Sequence, residues 1–267
     1  MFKKILLAGV LGTAVFASEG DKNMEKISAK TMEKSAMTET AAVSELTELP
    51  LPYRQIVFNA ARPGRFSLLL YLHGAGERGN DNERTKKHAV GKISEYIRAH
   101  GFKIVMLIPQ CPTEQRWVER PWGAMSHRMP TEPSLPMRAA LALLDAKTAE
   151  FSVDPAQIRV CGISMGGYGT WDAISRRPEF FAAAFPVCGG GDEAQAPKLK
   201  NMNVTVFHGS DDRSVPVERS RNMVAALREA GGENVLYVEL PGVGHCSWEI
   251  AFGDVSAMDK FFSTLLK

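Results

Sequence analysis

The stretch from Gln157 to Gly167, QIRVCGISMGG, decides the fold of this 267-residue chain. Its first part, Gln157–Gly162, is an apolar run typical of a buried strand, and a helical pattern follows from Gly166. Between them stands Gly-x-Ser-x-Gly, which predicts a sharp strand-to-helix turn that presents a serine hydroxyl at the end of a sheet. The glycines at both ends leave room for that strained turn. We therefore predict that Ser164 is a nucleophile.

The chain on both sides of this turn alternates between apolar runs and amphipathic segments. Near-continuous apolar strands that alternate with helices predict fold class α/β, with a mostly parallel central sheet and helices on both faces. Sites in such sheets form at the carboxyl ends of the strands. The predicted strands are Tyr53–Asn59, Phe66–Leu72, Lys103–Ile108, Gln157–Gly162, Ala182–Val187, Val204–Phe207 and Val235–Leu240. The predicted helices are Ser134–Phe151, Gly166–Arg177, Val217–Ala230 and Asp254–Leu266.

Two histidines follow Ser164 and could serve as its general base. After a turn of this kind the chain order is serine, then acid, then histidine. His245 satisfies that order and ends a Gly-rich loop after the last predicted strand, so we predict it as the base. His208 precedes both nearby acids, and we interpret it as a packing residue at a strand end. The acid is Asp211 or Asp212, of which the loop position favours Asp212.

A nucleophilic serine that transfers acyl groups also needs hydrogen-bond donors where the oxyanion forms. The backbone N–H of Met165, directly after the nucleophile, is the first candidate. The second should come from residues 73–76, a Gly-rich loop at the end of an earlier strand. We interpret His73 as a structural residue that orients this loop.

One connection, Cys111–Glu132, is too long for a simple turn. It holds several prolines together with Trp117 and Trp122, and loops of this length in compact domains are usually functional or disordered. We predict that it forms a flap over the site. Trp122, in this flap, and Trp248, three residues past His245, are candidates for the wall of a substrate pocket, with simple packing as the alternative.

The first 49 residues differ in character from the rest. Lys3-Lys4, the apolar run Ile5–Phe16 and the small residues around Ala17 predict a signal peptide, residues 1–17, cleaved after about Ala17. The apolar run is shorter than the roughly 20 residues that span a bilayer, so we expect no stable membrane anchor. The predicted location is therefore secreted or periplasmic. Residues 18–49 lack aromatic side chains and predict a flexible tail, which leaves residues 50–267 as the catalytic domain.

Charge and cysteine spacing exclude several classes of partner. Lys plus Arg is 32 and Asp plus Glu is 30, a net charge of +2 that gives no support to a nucleic-acid partner. No C-x-x-C pair or other metal motif is present, so we expect no metal and no cofactor. Export would make the four cysteines eligible for disulfides, and the sequence leaves their pairing open.

Four runs of sequence resemble a known family. The run HGSDDRSVP, from His208 to Pro216, resembles the acid loop of α/β-hydrolase esterases. Leu72–Gly79, Pro109–Pro112 and Gly162–Trp171 resemble secreted bacterial esterases of the feruloyl-esterase and poly(hydroxyalkanoate)-depolymerase-like group. This resemblance covers about Tyr53 to Lys267. It implies Asp212 as the acid, and Ala75 or Gly76 as the second oxyanion donor. Because one clear strand precedes the strand that ends before His73, we expect the leading part of the sheet to be reduced.

Together these features predict a secreted serine esterase whose substrate is a small-molecule or polysaccharide-linked ester. Feruloyl or acetyl esters of plant polysaccharide are the candidate substrates that the resemblance implies. Two alternatives are a serine peptidase of the same superfamily and a non-catalytic binding module on this scaffold. A peptidase of this kind usually carries a gating domain, and a binding module would normally lack a triad member.

Overall fold

The computed structural model describes residues 37–266. The predicted signal peptide and residues 18–36 of the predicted tail lie outside the described residues. Within residues 37–266, no helix is long and apolar enough to cross a membrane.

Eight strands of the described chain form one sheet. They are β1 (Met37–Ser44), β2 (Leu51–Phe58), β3 (Ser67–Leu72), β4 (Ile104–Pro109), β5 (Ile158–Ile163), β6 (Ala183–Val187), β7 (Asn203–Gly209) and β8 (Val235–Leu240). Their order is β1-β2-β4-β3-β5-β6-β7-β8. The pairs β1–β2 and β2–β4 are antiparallel, and the other five pairs are parallel.

Helices cover both faces of this sheet. They are α1 (Ala89–His100), α2 (Leu135–Glu150), α3 (Met165–Arg176), α4 (Ala196–Leu199), α5 (Glu218–Glu229), α6 (Trp248–Ala251) and α7 (Val255–Phe261). The buried side chains of α2, α3, α4 and α5 pack in one core, and those of α1, α6 and α7 in the other. The predicted mostly parallel sheet with helices on both faces is confirmed.

The central strands show why their sequences read as continuous apolar runs. In β3, Leu68, Leu70 and Leu72 belong to one core, while Leu69 and Tyr71 belong to the other. Successive strand residues point to opposite faces, so a strand buried on both faces needs an apolar residue at every position.

The leading part of the sheet corrects two expectations. Met37–Ser44, within the predicted flexible tail, forms β1 and pairs with β2 from Met37 opposite Phe58 to Ser44 opposite Leu51. Two strands therefore precede β3, and the sheet is not reduced at this end. Nearly all of β1 is exposed at the sheet edge, so its sequence carries no apolar alternation that could have revealed it.

The helix α1 was also absent from the predicted elements. Its buried residues include Ala89, Val90, Ile93 and Ile97. That three-to-four-residue spacing is the helical signal by which it could have been found.

Candidate active site

Ser164 stands between β5 and α3 in a strained backbone conformation, with φ 53° and ψ −116°. Non-glycine residues rarely adopt a positive φ, and strained conformations of this kind cluster at functional sites. A Cβ atom at Gly166 would overlap the carbonyl oxygen of Leu72, and one at Gly162 would overlap the carbonyl of Gly166. Both glycines of the motif are therefore required by the close approach of the turn to β3.

A hydrogen-bonded chain joins Ser164, His245 and Asp212. The Nε2 atom of His245 lies 2.8 Å from the Ser164 hydroxyl oxygen, and its Nδ1 atom lies 2.6 Å from Asp212 Oδ2. The backbone N–H groups of Ser214 and Val215 donate to the other carboxylate oxygen at 2.8 and 2.9 Å. The structure thus brings together the three residues that the sequence analysis selected from different loops.

The Asp212 carboxylate has hydrogen-bond partners in addition to His245. Burial raises its pKa, but hydrogen bonds from His208, His245 and the Val215 N–H outweigh burial and hold the pKa well below its ordinary value. His208 is fully buried, and its Nε2 atom lies 3.2 Å from Asp212 Oδ2. The interpretation of His208 as a packing residue missed this contact. Its position four residues before the acid, at the end of β7, was the available signal.

The predicted oxyanion donors lie at two helix starts. Met165 is the first residue of α3, and Ala75 and Gly76 open a short 3-10 helix, Ala75–Glu77. First-turn amides have no partner within their own helix. The N–H of Gly74 donates to Glu77 Oε2 at 2.8 Å and is therefore occupied. The amides of both Ala75 and Gly76 remain available as the second donor.

His73 connects this loop to the start of the predicted flap. It is fully buried, its Nδ1 lies 2.6 Å from the carbonyl oxygen of Gly74, and its Nε2 accepts the N–H of Cys111 at 3.0 Å. Since Nε2 accepts, the ring proton lies on Nδ1 and donates to Gly74. Burial lowers the pKa of His73 to about 4, so the imidazole is neutral at pH 7. These contacts fit the predicted structural role.

The segment predicted as a flap has no helix or strand between β4 and α2 and is tied to the domain by side chains. The Trp117 indole is buried and donates to the carbonyl oxygen of His73 at 3.1 Å. The Tyr168 hydroxyl donates to the carbonyl of Trp122 at 2.7 Å. Arg116 places its guanidinium 4.5 Å from the centre of the Trp122 ring. The loop is thus held in place by these contacts.

A cavity of about 500 Å³ opens above Ser164. Its lining includes His245, Ala75 and Gly76, and both tryptophans that the sequence analysis selected, Trp122 and Trp248. Glu77 and His88 also line it, and sequence reasoning missed both. Glu77 directly follows the Gly-rich loop, whereas nothing in the sequence around His88 indicates a site.

One thiol lies beside the Ser–His–Asp chain. All four cysteines of the sequence fall within residues 37–266 as free thiols, and Cys188, Asp212 and His245 offer donor atoms within 4.8 Å of one another. Burial raises the pKa of the Cys188 thiol, which keeps it protonated, and metal ions bind the thiolate. Because Asp212 and His245 already satisfy each other, the geometry fits a hydrogen-bonded triad better than a metal centre.

Comparison with solved structures identifies the fold. No family model matches the chain. The structure is similar to the crystal structure of a thermostable esterase, with a TM-score of 0.74 and 34% sequence identity, over 86% of this chain and 63% of that one. The chain has the α/β-hydrolase fold. A ferulic acid esterase shares that fold at 15% identity, with a TM-score of 0.63 over 86% of this chain and 98% of that one.

One curated relative matches only a short part of this chain. The esterase LipC of Mycobacterium tuberculosis is 39% identical over 72 residues, which are 27% of this chain and 16% of that protein. The chain thus spans less than two thirds of the thermostable esterase and a small part of LipC.

Proposed function

We propose that this α/β-hydrolase is a serine esterase that cleaves carboxylic esters through an acyl-enzyme. The hydrogen-bonded chain from Ser164 through His245 to Asp212, at the base of a cavity, is the observation that carries the proposal. The similarity to esterases supports the same reaction class.

The geometry suits each step of that reaction. His245 Nε2 takes the proton of the Ser164 hydroxyl as its oxygen attacks the ester carbonyl carbon. The N–H of Met165 and that of Ala75 or Gly76 donate to the oxyanion that forms. His245 then gives the proton to the leaving alcohol, and a water molecule activated by the same imidazole releases the acid. Asp212, whose pKa is held low, stays ionised and orients the imidazole.

The nucleophile is tested by covalent labelling. A fluorophosphonate probe should label the wild-type protein and should not label Ser164→Ala. Ser256→Ala, an exposed serine of α7, is the matched control and should label like the wild type. Equal labelling of Ser164→Ala would refute the assignment. A panel of p-nitrophenyl esters, methyl ferulate, acetylated xylan and a peptide amide then separates ester hydrolysis from peptide hydrolysis.

Export is a separate part of the proposal and rests on the sequence. Cleavage after about Ala17 would give a mature N-terminus that reads Ser18-Glu19-Gly20. N-terminal sequencing of protein from the medium or periplasm tests this, and recovery of chains that begin at Met1 in a membrane fraction would contradict it.

A further inference from the structure

His88 repeats the backbone geometry of the nucleophile. It directly precedes α1 with φ 57° and ψ −125°, as Ser164 directly precedes α3 with φ 53° and ψ −116°. Both residues line the same cavity. A glycine would adopt this conformation without strain, so a histidine at this position indicates that its side chain is needed there.

The exposed Glu249 places its Oε1 atom 3.7 Å from His88 Nδ1. The nearer partner of this imidazole is Glu77, which is only 4% exposed. One carboxylate oxygen accepts the N–H of Gly74, and the other lies 3.3 Å from His88 Nε2. An ionised carboxylate can accept about four hydrogen bonds, and a buried one is costly unless those sites are used. Glu77 therefore borders the cavity with accepting capacity left over.

The pair adjoins the catalytic centre through a single indole. The ring of Trp248 lies edge-to-face with both His88 and His245, with ring centres 5.3 Å apart in each case. Trp248 is 6% exposed and gives this wall an apolar surface. A substrate group held against Trp248 would thus have both an apolar wall and the Glu77–His88 pair within its reach.

We propose that Glu77 and His88 form a hydroxyl-binding subsite of this pocket. The 3.3 Å separation exceeds the usual 2.7–2.9 Å of a charge-assisted hydrogen bond, so a third group can share the pair. A substrate hydroxyl would donate to Glu77 Oε1 and accept from the His88 ring N–H. The preferred substrates are then esters with a free hydroxyl, either a phenol on the acyl group or a sugar-like hydroxyl on the alcohol. This inference rests on the proposed esterase function.

Two matched pairs of esters test it and distinguish the two sources. Methyl 4-hydroxycinnamate against methyl cinnamate probes the acyl group, and 2-hydroxyethyl acetate against propyl acetate probes the alcohol. The wild type should favour the hydroxyl-bearing member of one pair by about tenfold or more in kcat/KM, as expected for a hydrogen bond to a charged group. That pair identifies the source of the hydroxyl.

For each variant, the measured quantity is the ratio of kcat/KM for the hydroxyl-bearing ester to that for its matched ester, rather than an absolute rate. His88→Gly deletes the imidazole and suits the backbone, and it should bring the ratio close to one. Glu77→Gln keeps an acceptor for the Gly74 N–H and should lower the ratio through loss of charge. The control Glu95→Gln, exposed on α1, should keep the wild-type ratio.

The outcomes separate the subsite from the esterase function. Turnover of p-nitrophenyl acetate, which has no free hydroxyl, tests esterase activity alone. If the wild type cleaves that ester but shows a kcat/KM ratio near one in both matched pairs, the subsite is overturned and the esterase function stands. A preference that persists in both His88→Gly and Glu77→Gln would also overturn it. Failure to cleave any ester would overturn the esterase proposal and the subsite with it.

Discussion

His208 and His245 contact the same carboxylate oxygen of Asp212, at 3.2 and 2.6 Å. His208 Nε2 also lies 3.0 Å from the carbonyl of Val215, the residue whose N–H donates to Asp212 Oδ1. His208 therefore contacts both Asp212 and the loop residue that donates to it. We expect His208→Asn to lower kcat about tenfold or more with little change in KM, because a hydrogen bond to a charged group is lost.

Steady-state kinetics on p-nitrophenyl acetate check this expectation. The control is Thr205→Val, a fully buried position on the same strand whose hydroxyl has no partner, and it should behave like the wild type. A wild-type kcat in His208→Asn would return His208 to a packing role.

The identity of the acid is tested by comparing two adjacent aspartates. The Asp212 side chain is fully buried and bonded to His245, whereas Asp211 is exposed and accepts from the Ser210 hydroxyl. Asp212→Asn should lower kcat by roughly 10⁴-fold, because the imidazole loses its orientation and tautomer. Asp211→Asn should have a much smaller effect. The reverse ranking would move the role to Asp211.

Trp122 provides a test of the pocket wall. Its ring lines the cavity and packs beneath Arg116. Trp122→Ala should remove about 50–100 Å² of contact with a large acyl group, or about 1.2–2.5 kcal/mol, which is roughly 8- to 70-fold in kcat/KM. An acetyl ester should be nearly unaffected. The ratio of aryl-ester to acetyl-ester kcat/KM is the measured quantity, and an unchanged ratio would leave Trp122 as a packing residue.

His73 predicts a pH dependence of stability. Burial lowers its pKa to about 4 from an ordinary value of 6.5, so the folded state favours the neutral ring. This contribution is fully present above about pH 6.5 and is lost as the pH falls towards 4. Between pH 7 and pH 5 the wild type should therefore lose about 2 kcal/mol more free energy of unfolding than His73→Gln does.

Urea denaturation at the two pH values measures this difference. His100→Gln, which removes an exposed histidine of α1, should follow the wild type. Parallel losses in wild type and His73→Gln would show that the protonation of His73 is not linked to folding.

The strained backbone at His88 predicts an order of stability between two variants. Both His88→Gly and His88→Ala remove the imidazole, but only glycine adopts a φ of 57° without strain. We expect His88→Gly to be more stable than His88→Ala by about 1 kcal/mol, from unfolding curves at one pH. An alanine variant of equal or greater stability would show that the backbone relaxes when the histidine is removed.

The sequence by itself determined the parts of this protein that depend on local pattern. The buried strands β3 to β7 read as apolar runs because both of their faces are covered. The glycines at 162 and 166 mark the turn at Ser164 because any Cβ there would meet backbone. The order of residues along the chain then selected His245, and the resemblance of residues 208–216 to an acid loop selected Asp212. The two are hydrogen-bonded in the structure.

Only the tertiary structure decided which side chains meet across distant segments. The edge strand β1 has no apolar pattern, since most of it faces water. Glu77 and His208 carry groups that usually prefer solvent, and their burial beside the site follows from partners that lie elsewhere in the chain, His88 and Ser220. Periodicity indicates whether a residue is buried, but it carries no information on its contacts across the sheet, which the packing of strands and loops fixes.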